Sequence, residues 1–476
     1  MASVQGGGKL AMPSTFEPGA GAASAGPIDV PANDFEAFPP PRQAWYTVGV
    51  LAVITTFALL DQNILGLLIQ QIKTDFQLTD SEAGLLLGPT QAIFYALVAV
   101  PLSRYIDRWT RKWIMLGGLV VWSLATAATG LAASFGQLFV ARFFVGAGES
   151  FNGPTAYSIT ADCFPREKLP RAISTLQIGS VAGSGLSLLA GGVVIWLVAH
   201  WGSPDLPLVG VLRPWQVVLL AVGVPGLLVS LLVLTIREPP RRNLRLATSR
   251  TGLRQTLRYL WLHFAVFGPM FIGLTLGSLD VGSRQWGAAF FQRTYGWPPQ
   301  EYALVGGVVS LVLMSIGLVL GAKWAEWFQQ RGDAAGMYRV ILYTRLVAIP
   351  FAILMPMMPT PGLSMACNAV AFLMLGMNGP MLNAAMLAIT PNEVRGQVMT
   401  LYLFIYTVVG VGLAPWITGL TTDYVFTSPG DLRWSIVLLH VIFMPVALAV
   451  TWLGLKAFRR EVERLNAEDA AAGQVN

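Results

Sequence analysis

From about residue 44 to about residue 457, apolar residues run in continuous blocks, and short segments bearing charges, Gly and Pro separate one block from the next. Each block approaches the roughly 20 residues a helix needs to cross the hydrocarbon core of a bilayer. The pattern predicts helices at 44–70, 84–104, 113–133, 137–163, 169–199, 214–236, 261–291, 302–325, 338–357, 361–389, 395–422 and 432–457. A transmembrane β-barrel is excluded, because its strands alternate apolar and polar residues. Twelve spans, an even number, place both termini on one side.

Composition agrees: 54% of the 476 residues are hydrophobic and 12% charged, against about 25% charged in soluble domains. The net charge of +6 arises in short loops between spans, which points to lipid headgroups as partners and not to nucleic acid. If the termini are cytoplasmic, the inner loops hold most Lys and Arg, including Arg104, Arg108, Arg111, Lys112 and the run from Arg237 to Arg258. The outer loops then hold Lys73, Arg213, Arg293 and Arg433. That asymmetry predicts cytoplasmic termini. Residues 1–43, rich in Gly, Ala and Pro, are expected to be a disordered cytoplasmic tail. Two six-helix bundles should follow at 44–236 and 261–457, joined by a cytoplasmic loop at 237–260 and ended by a tail at 458–476. Within the loop, Leu253, Leu257 and Trp261 fall at helical spacing beside Arg254 and Arg258, which predicts an amphipathic helix along the inner membrane surface.

An internal echo supports two halves. Span four carries Asn152-Gly153-Pro154 and exits through Pro165-Arg166-Glu167, while span ten carries Asn378-Gly379-Pro380 and exits through Pro391-Asn392-Glu393. Parallel repeats produce such ordered matches. Cys163 and Cys367 stand in no metal or disulfide pattern and read as packing residues. No Walker A, HExxH or GxSxG sequence is present, so neither an enzyme nor a cofactor is expected.

Charges inside the blocks are the candidate chemistry, since each costs at least about 2.5 kcal/mol at the bilayer centre and is normally turned inward and paired. Arg142 and Glu149 lie seven apart, two turns along one helix face. Gly146 and Gly148 between them admit a close neighbour. Asp61 stands in the first span. Asp280 and Arg284, four apart in the seventh, share a face and read equally as substrate contacts or as a local pair. Arg345, early in the ninth span, is expected to snorkel to the interface. His200, His263 and His440 are read as interfacial residues near span ends.

These motifs resemble the major facilitator superfamily, and several resemble its spinster branch. Asp107, Arg108, Arg111 and Lys112 match the superfamily's first-loop signature, with Ser103 and Thr110 where Gly is usual. Arg142, Gly146, Gly148 and Glu149 are similar to its Arg-x-x-x-Gly-x-Gly-Glu pattern. Pro154, Thr155, Ala161, Asp162 and the run Gly183-Ser184-Gly185-Leu186 are similar to spinster sequences. The resemblance implies an all-α membrane protein of twelve helices in two pseudo-symmetric bundles, a monomer in a bacterial inner or plasma membrane, working by alternating access.

It also implies that Asp61, Arg142 and Glu149 face one another across a water-filled cavity. Asp61 and Glu149 would bind protons. Arg142, with Asp61, Glu149, Asn152, Asp280 and Arg284, would contact a lysophospholipid-like or sphingosine-1-phosphate-like substrate. Asp107, Arg108, Arg111 and Lys112 would form a latch between the halves. The competing readings are a fixed buried ion pair at the trio, a proton-coupled drug or sugar-acid transporter, and a passive scramblase or receptor. The drug reading is weakened by Ser184, which stands where antiporters often have Pro after Gly.

Overall fold

The computed structural model describes residues 38–106, 109–165, 168–201, 205–206, 210–240, 253–391 and 394–473. The first apolar block folds as α1 (Pro41–Phe76), opened by Pro41, whose fixed φ and missing N–H suit a helix start. The second block is two helices, α2 (Asp80–Leu87) and α3 (Pro89–Ile106), parted at Gly88. In α2, Thr79 and Glu82 form a reciprocal capping box. Then come α4 (Arg111–Gly130), α5 (Phe135–Glu149), α6 (Asn152–Cys163), α7 (Leu169–Trp201) and α8 (Pro214–Thr235), with a two-residue hairpin, β1 (Asp205–Leu206) and β2 (Gly210–Val211), between the last two.

The second half comprises α9 (Leu253–Leu262), α10 (Phe264–Ser283), α11 (Gly287–Tyr295), α12 (Pro299–Gln330), α13 (Gly336–Leu354), α14 (Pro361–Ala388), α15 (Arg395–Ile405), α16 (Leu413–Thr421) and α17 (Leu432–Gly473). Arg284–Trp286 and Met355–Met357 are 3₁₀ turns, and Tyr406–Gly412 and Thr422–Phe426 are π-helical. Pro415 has no N–H to return to the Val411 carbonyl, which loosens this helix where the first π segment ends.

Among the described residues, eleven helical stretches are long and apolar enough to cross a membrane. The predicted fourth span is absent from that set because it is α5 and α6, separated at Ser150 and Phe151. The residues ahead of Pro154 are Gly-Ala-Gly-Glu-Ser, weak in helix propensity, and Pro154 itself offers no N–H to the Ser150 carbonyl. Pro380, in the matching Asn-Gly-Pro of span ten, sits inside the unbroken α14, after better helix formers. The fold is nonetheless the expected one, all-α, with twelve spans in two bundles.

One expectation about the ends changes. The stretch predicted as a tail after residue 457 continues α17 to Gly473. Phe458 and Val462 are buried there, and Arg459–Glu463 and Arg464–Glu468 pair one turn apart, a spacing that supports helix. The predicted amphipathic segment is α9, with Leu257, Trp261 and Leu262 exposed and Thr256 bonded to Gln397. Of the N-terminal tail predicted over 1–43, residues 1–37 lie outside the described residues, and α1 begins at Pro41 within its last residues.

The halves meet through glycines. A Cβ added at Gly84 would overlap Pro415, at Gly185 Leu311, and at Gly412 Ala92. Packing of α2 on α16 and of α7 on α12 therefore brings backbones together, as small residues allow between membrane helices.

Candidate functional site

In the first half, polar side chains from four helices converge. Asp61 of α1 is fully buried; its Oδ1 accepts from Thr126 Oγ1 of α4 at 2.8 Å and its Oδ2 lies 3.4 Å from Arg142 Nη1 of α5. Glu149 is not paired with Arg142. Its Oε2 accepts from Gln62 Nε2 at 3.1 Å and from Gln91 Nε2 of α3 at 2.5 Å. Gly146 makes this possible, since a Cβ there would overlap the Gln91 carbonyl. Arg142 is 1% exposed, and its Nε and Nη2, like Glu149 Oε1 and Asn152 Oδ1, have no hydrogen-bond partner among the described residues. The trio expected to face one another across a water-filled cavity is instead a buried Asp61–Arg142 pair beside a carboxylate held by two neutral amides.

Between the halves lies a cavity of about 200 Å³, whose polar lining includes Gln62, Asn63, Ser184, Arg284 and Gln285, with Phe372 and Met314 among its apolar walls. Arg284 alone of the expected contacts faces it. Asp61, Arg142, Glu149 and Asn152 are buried and do not line it, and Asp280 lines smaller neighbouring cavities. Arg284 Nη2 lies 3.0 and 3.3 Å from the Asp280 oxygens, Nη1 donates to Asn368 Oδ1 at 2.7 Å, and the guanidinium sits 5.0 Å from the Phe372 ring centroid.

Two residues contradict the sequence reading. His440 is buried in α17, with Nε2 3.2 Å from Asp280 Oδ1. Arg345 does not snorkel: it is 5% exposed and donates to the Gly273 carbonyl at 2.7 Å and Thr451 Oγ1 at 2.9 Å. Packing of α10 and α17 over α13 covers both, which position along a span does not reveal.

Of the expected latch, Asp107 and Arg108 lie outside the described residues. Arg111 and Lys112 bind within the first half: Arg111 to Asp162 at 2.5 Å and Glu238 at 3.1 Å, Lys112 Nζ to the Leu234 carbonyl at 2.6 Å. Glu238 also accepts the backbone N–H of both, capping α4 where Thr110 does not. Among the described residues, neither bonds to the other half. The cross-half ties sit at the opposite end, where Arg293 donates to Asp80 and Gln70 and Asp423 accepts from the backbone N–H of Asp80 and Ser81. Sequence reading missed these residues, along with Gln62, Asn63 and Gln91. The consecutive polar run Asp61-Gln62-Asn63 in an apolar block was the available signal.

Two helix bundles enclosing a polar cavity at their interface have the architecture of a secondary transporter. The Major Facilitator Superfamily model matches residues 51–415, and the chain belongs to that superfamily. It is 25% identical over 427 residues to an MFS-type efflux pump of Mycolicibacterium smegmatis, covering 89% of this chain and 95% of the relative. It is 23% identical to Protein spinster of Drosophila melanogaster over 62% of this chain and 48% of that protein, so the match spans about half of the fly protein. Among solved structures, a bacterial homolog of the human lysosomal transporter spinster, inward-facing and unoccupied, superposes with a TM-score of 0.75 at 25% identity, covering 89% of this chain and 99% of that one. The protein is a multi-pass membrane transporter and not an enzyme.

Proposed function

We propose that this chain carries a single-chain, lipid-like substrate with an anionic or zwitterionic headgroup across a bacterial inner membrane, coupled to protons, with its termini cytoplasmic. The observation that carries the reading is Gln62, which lines the central cavity and donates to Glu149 behind it. A buried carboxylate without a counter-charge is costly, and taking up a proton removes that cost. Glu149, beside the Asp61–Arg142 pair, is then the proton site, and occupancy of the cavity reaches it through Gln62. Arg284 replaces Arg142 as the headgroup contact, because a guanidinium suits phosphate and carboxylate and this one faces the cavity. Apolar walls such as Leu59, Leu188 and Phe372 receive the chain. The substrate and protons, with surrounding lipid, are the partners this reading requires; it needs no second copy, nucleic acid, metal or cofactor.

The test is flux of labelled palmitoyl lysophosphatidylglycerol in liposomes holding the purified protein under an imposed pH gradient. Accumulation that follows the gradient, and is lost in Glu149→Gln while binding persists, is expected. The efflux-pump relative favours a second reading, export of a drug or organic anion such as a sugar acid. Saturable binding of such a solute, with none of any lysolipid, decides for it. Lysolipid movement indifferent to the gradient in the parent protein supports a passive scramblase instead.

A further inference from the structure

We propose that His440 and Asp280 form a second proton-binding site, in the second half, that decides whether Arg284 is held by Asp280 or released to an anionic group in the central cavity. The inference rests on Arg284 being the headgroup contact.

His440 is 1% exposed, and its two ring nitrogens differ sharply in company. Nε2 lies 3.2 Å from Asp280 Oδ1 and 3.3 Å from Ser283 Oγ. Ser283 spends its own proton on the Asp280 carbonyl at 2.8 Å, so its oxygen accepts and Nε2 carries the hydrogen of the neutral ring. Nδ1 has no hydrogen-bond partner among the described residues. A bare ring nitrogen is a proton acceptor, and imidazole is the side chain whose ordinary titration falls between pH 5 and 8.

The surroundings supply one carboxylate for several cations. From α10 and the turn after it come Asp280 and Arg284; α12 adds Tyr302 and α14 adds Asn368, all lining one small cavity with His440. Arg345 of α13 and Tyr406 share the adjoining cavity with Asp280. From α11 and the Met355–Met357 turn the neighbours are Phe290, Phe291 and Met355, and α16 has no ionisable residue. At the start of α17, Asp431 and Arg433 are about two turns or more away along the axis, and Asp423 is engaged by α2.

When Nδ1 takes a proton, the imidazolium becomes a charged donor to Asp280, and charge-assisted bonds are the stronger ones. It also repels the neighbouring guanidinium. Arg284 keeps Asn368 and the Phe372 face, which hold it at the cavity wall, while its claim on Asp280 weakens. Proton uptake at His440 and anion binding at Arg284 therefore favour each other, and the coupling is reciprocal.

The chain has three histidines. His200 and His263 each bond a carbonyl of their own helical turn, so the double variant His200→Gln/His263→Gln leaves His440 as the single ring to follow by NMR with isotope-labelled histidine. A change of ring protonation state with pH, displaced by Asp280→Asn, is expected. In the Glu149→Gln background, which silences the first-half site, palmitoyl lysophosphatidylglycerol should bind about tenfold tighter at pH 6 than at pH 8, within the usual range of coupling between sites. Adding His440→Gln should flatten that ratio. A ring that keeps one protonation state from pH 5 to pH 9, or an unchanged ratio in His440→Gln, overturns the proposal. If the lysolipid binds at no pH, the headgroup role of Arg284 falls. The ring titration and its dependence on Asp280 still decide the proton site separately.

Discussion

Gln62 joins two polar systems: its side chain lines the cavity and its amide donates to Glu149. Gln62→Leu has nearly the same bulk and no donor, so it should leave lysolipid affinity within about fivefold, the factor given by the loss of one neutral hydrogen bond to the headgroup at about 1 kcal/mol, while abolishing accumulation under a pH gradient. Equal coupling in Gln62→Leu and parent liposomes would remove Gln62 from the pathway. Arg284→Ala should instead weaken binding at least about tenfold, and Arg284→Lys should not restore it, since an ammonium lacks the planar fork and stacks less well on Phe372. Calorimetric titration of both variants with the lysolipid checks this, with folded yield measured alongside because Asp280 loses its partner. The charged residues were legible because a charge in an apolar block is expensive and stands out. Gln62, Asn63 and Gln91 were not, because a neutral amide costs less to insert and its value depends on what lies across the helix interface. His440 was misread for a related reason: its distance from a span end says nothing about which helices cover it.

At the scale of elements, apolar blocks long enough to span a bilayer were legible, and interruptions within them less so. Glycine spacing foretold that a helix would press against α5 at Gly146 and Gly148, and α3 and α4 do so at Gln91 and Trp122. Which helix arrives, and what it carries, is tertiary information. Gly146→Ala places a methyl against the Gln91 carbonyl and should cost about 1–3 kcal/mol, the usual range for overpacking, while pushing the Gln91 amide away from Glu149. Gly136→Ala in the same helix, where a Cβ meets nothing within 4 Å, is the control and should be neutral or slightly stabilising. Thermal unfolding of the two variants in one detergent compares them. If Gly146→Ala unfolds at the parent temperature and keeps coupling, close approach of α3 is not what positions Gln91.

For the whole molecule, the resemblance implied an inter-half latch at Asp107, Arg108, Arg111 and Lys112, the first two of which lie outside the described residues, and a carboxylate set against the amino end of a helix in the opposite bundle is one way to build such a latch. The structure uses that device at the other end. Asp423 of the second half accepts from the first two N–H groups of α2, at 3.0 and 2.6 Å, while Asp80, the residue that opens α2, binds Arg293 of the second half at 2.7 Å. Each half therefore gives the other both an anion and donors. A carboxylate on a helix N-terminus contributes about 0.5–2 kcal/mol, and a hydrogen bond to a charged group about 1.5–3 kcal/mol. The alternating-access cycle that the resemblance implies requires this end to open, and in such a cycle these contacts weight the equilibrium between the two states. Asp423→Ala should raise the population open at this end about tenfold, the shift given by about 1.4 kcal/mol. Arg293→Ala should do at least as much, although Lys73, 2.5 Å from Asp80, limits the charge left uncompensated. Spin labels at Thr74 and Ser428, both exposed at this end, report the distance between the halves. A longer-distance population should grow in each variant, and in the double variant by less than the sum, because both contacts act on α2. Parent-like distances in both single variants would show that the glycine-mediated backbone packing of α2 on α16 and of α7 on α12 closes this end by itself.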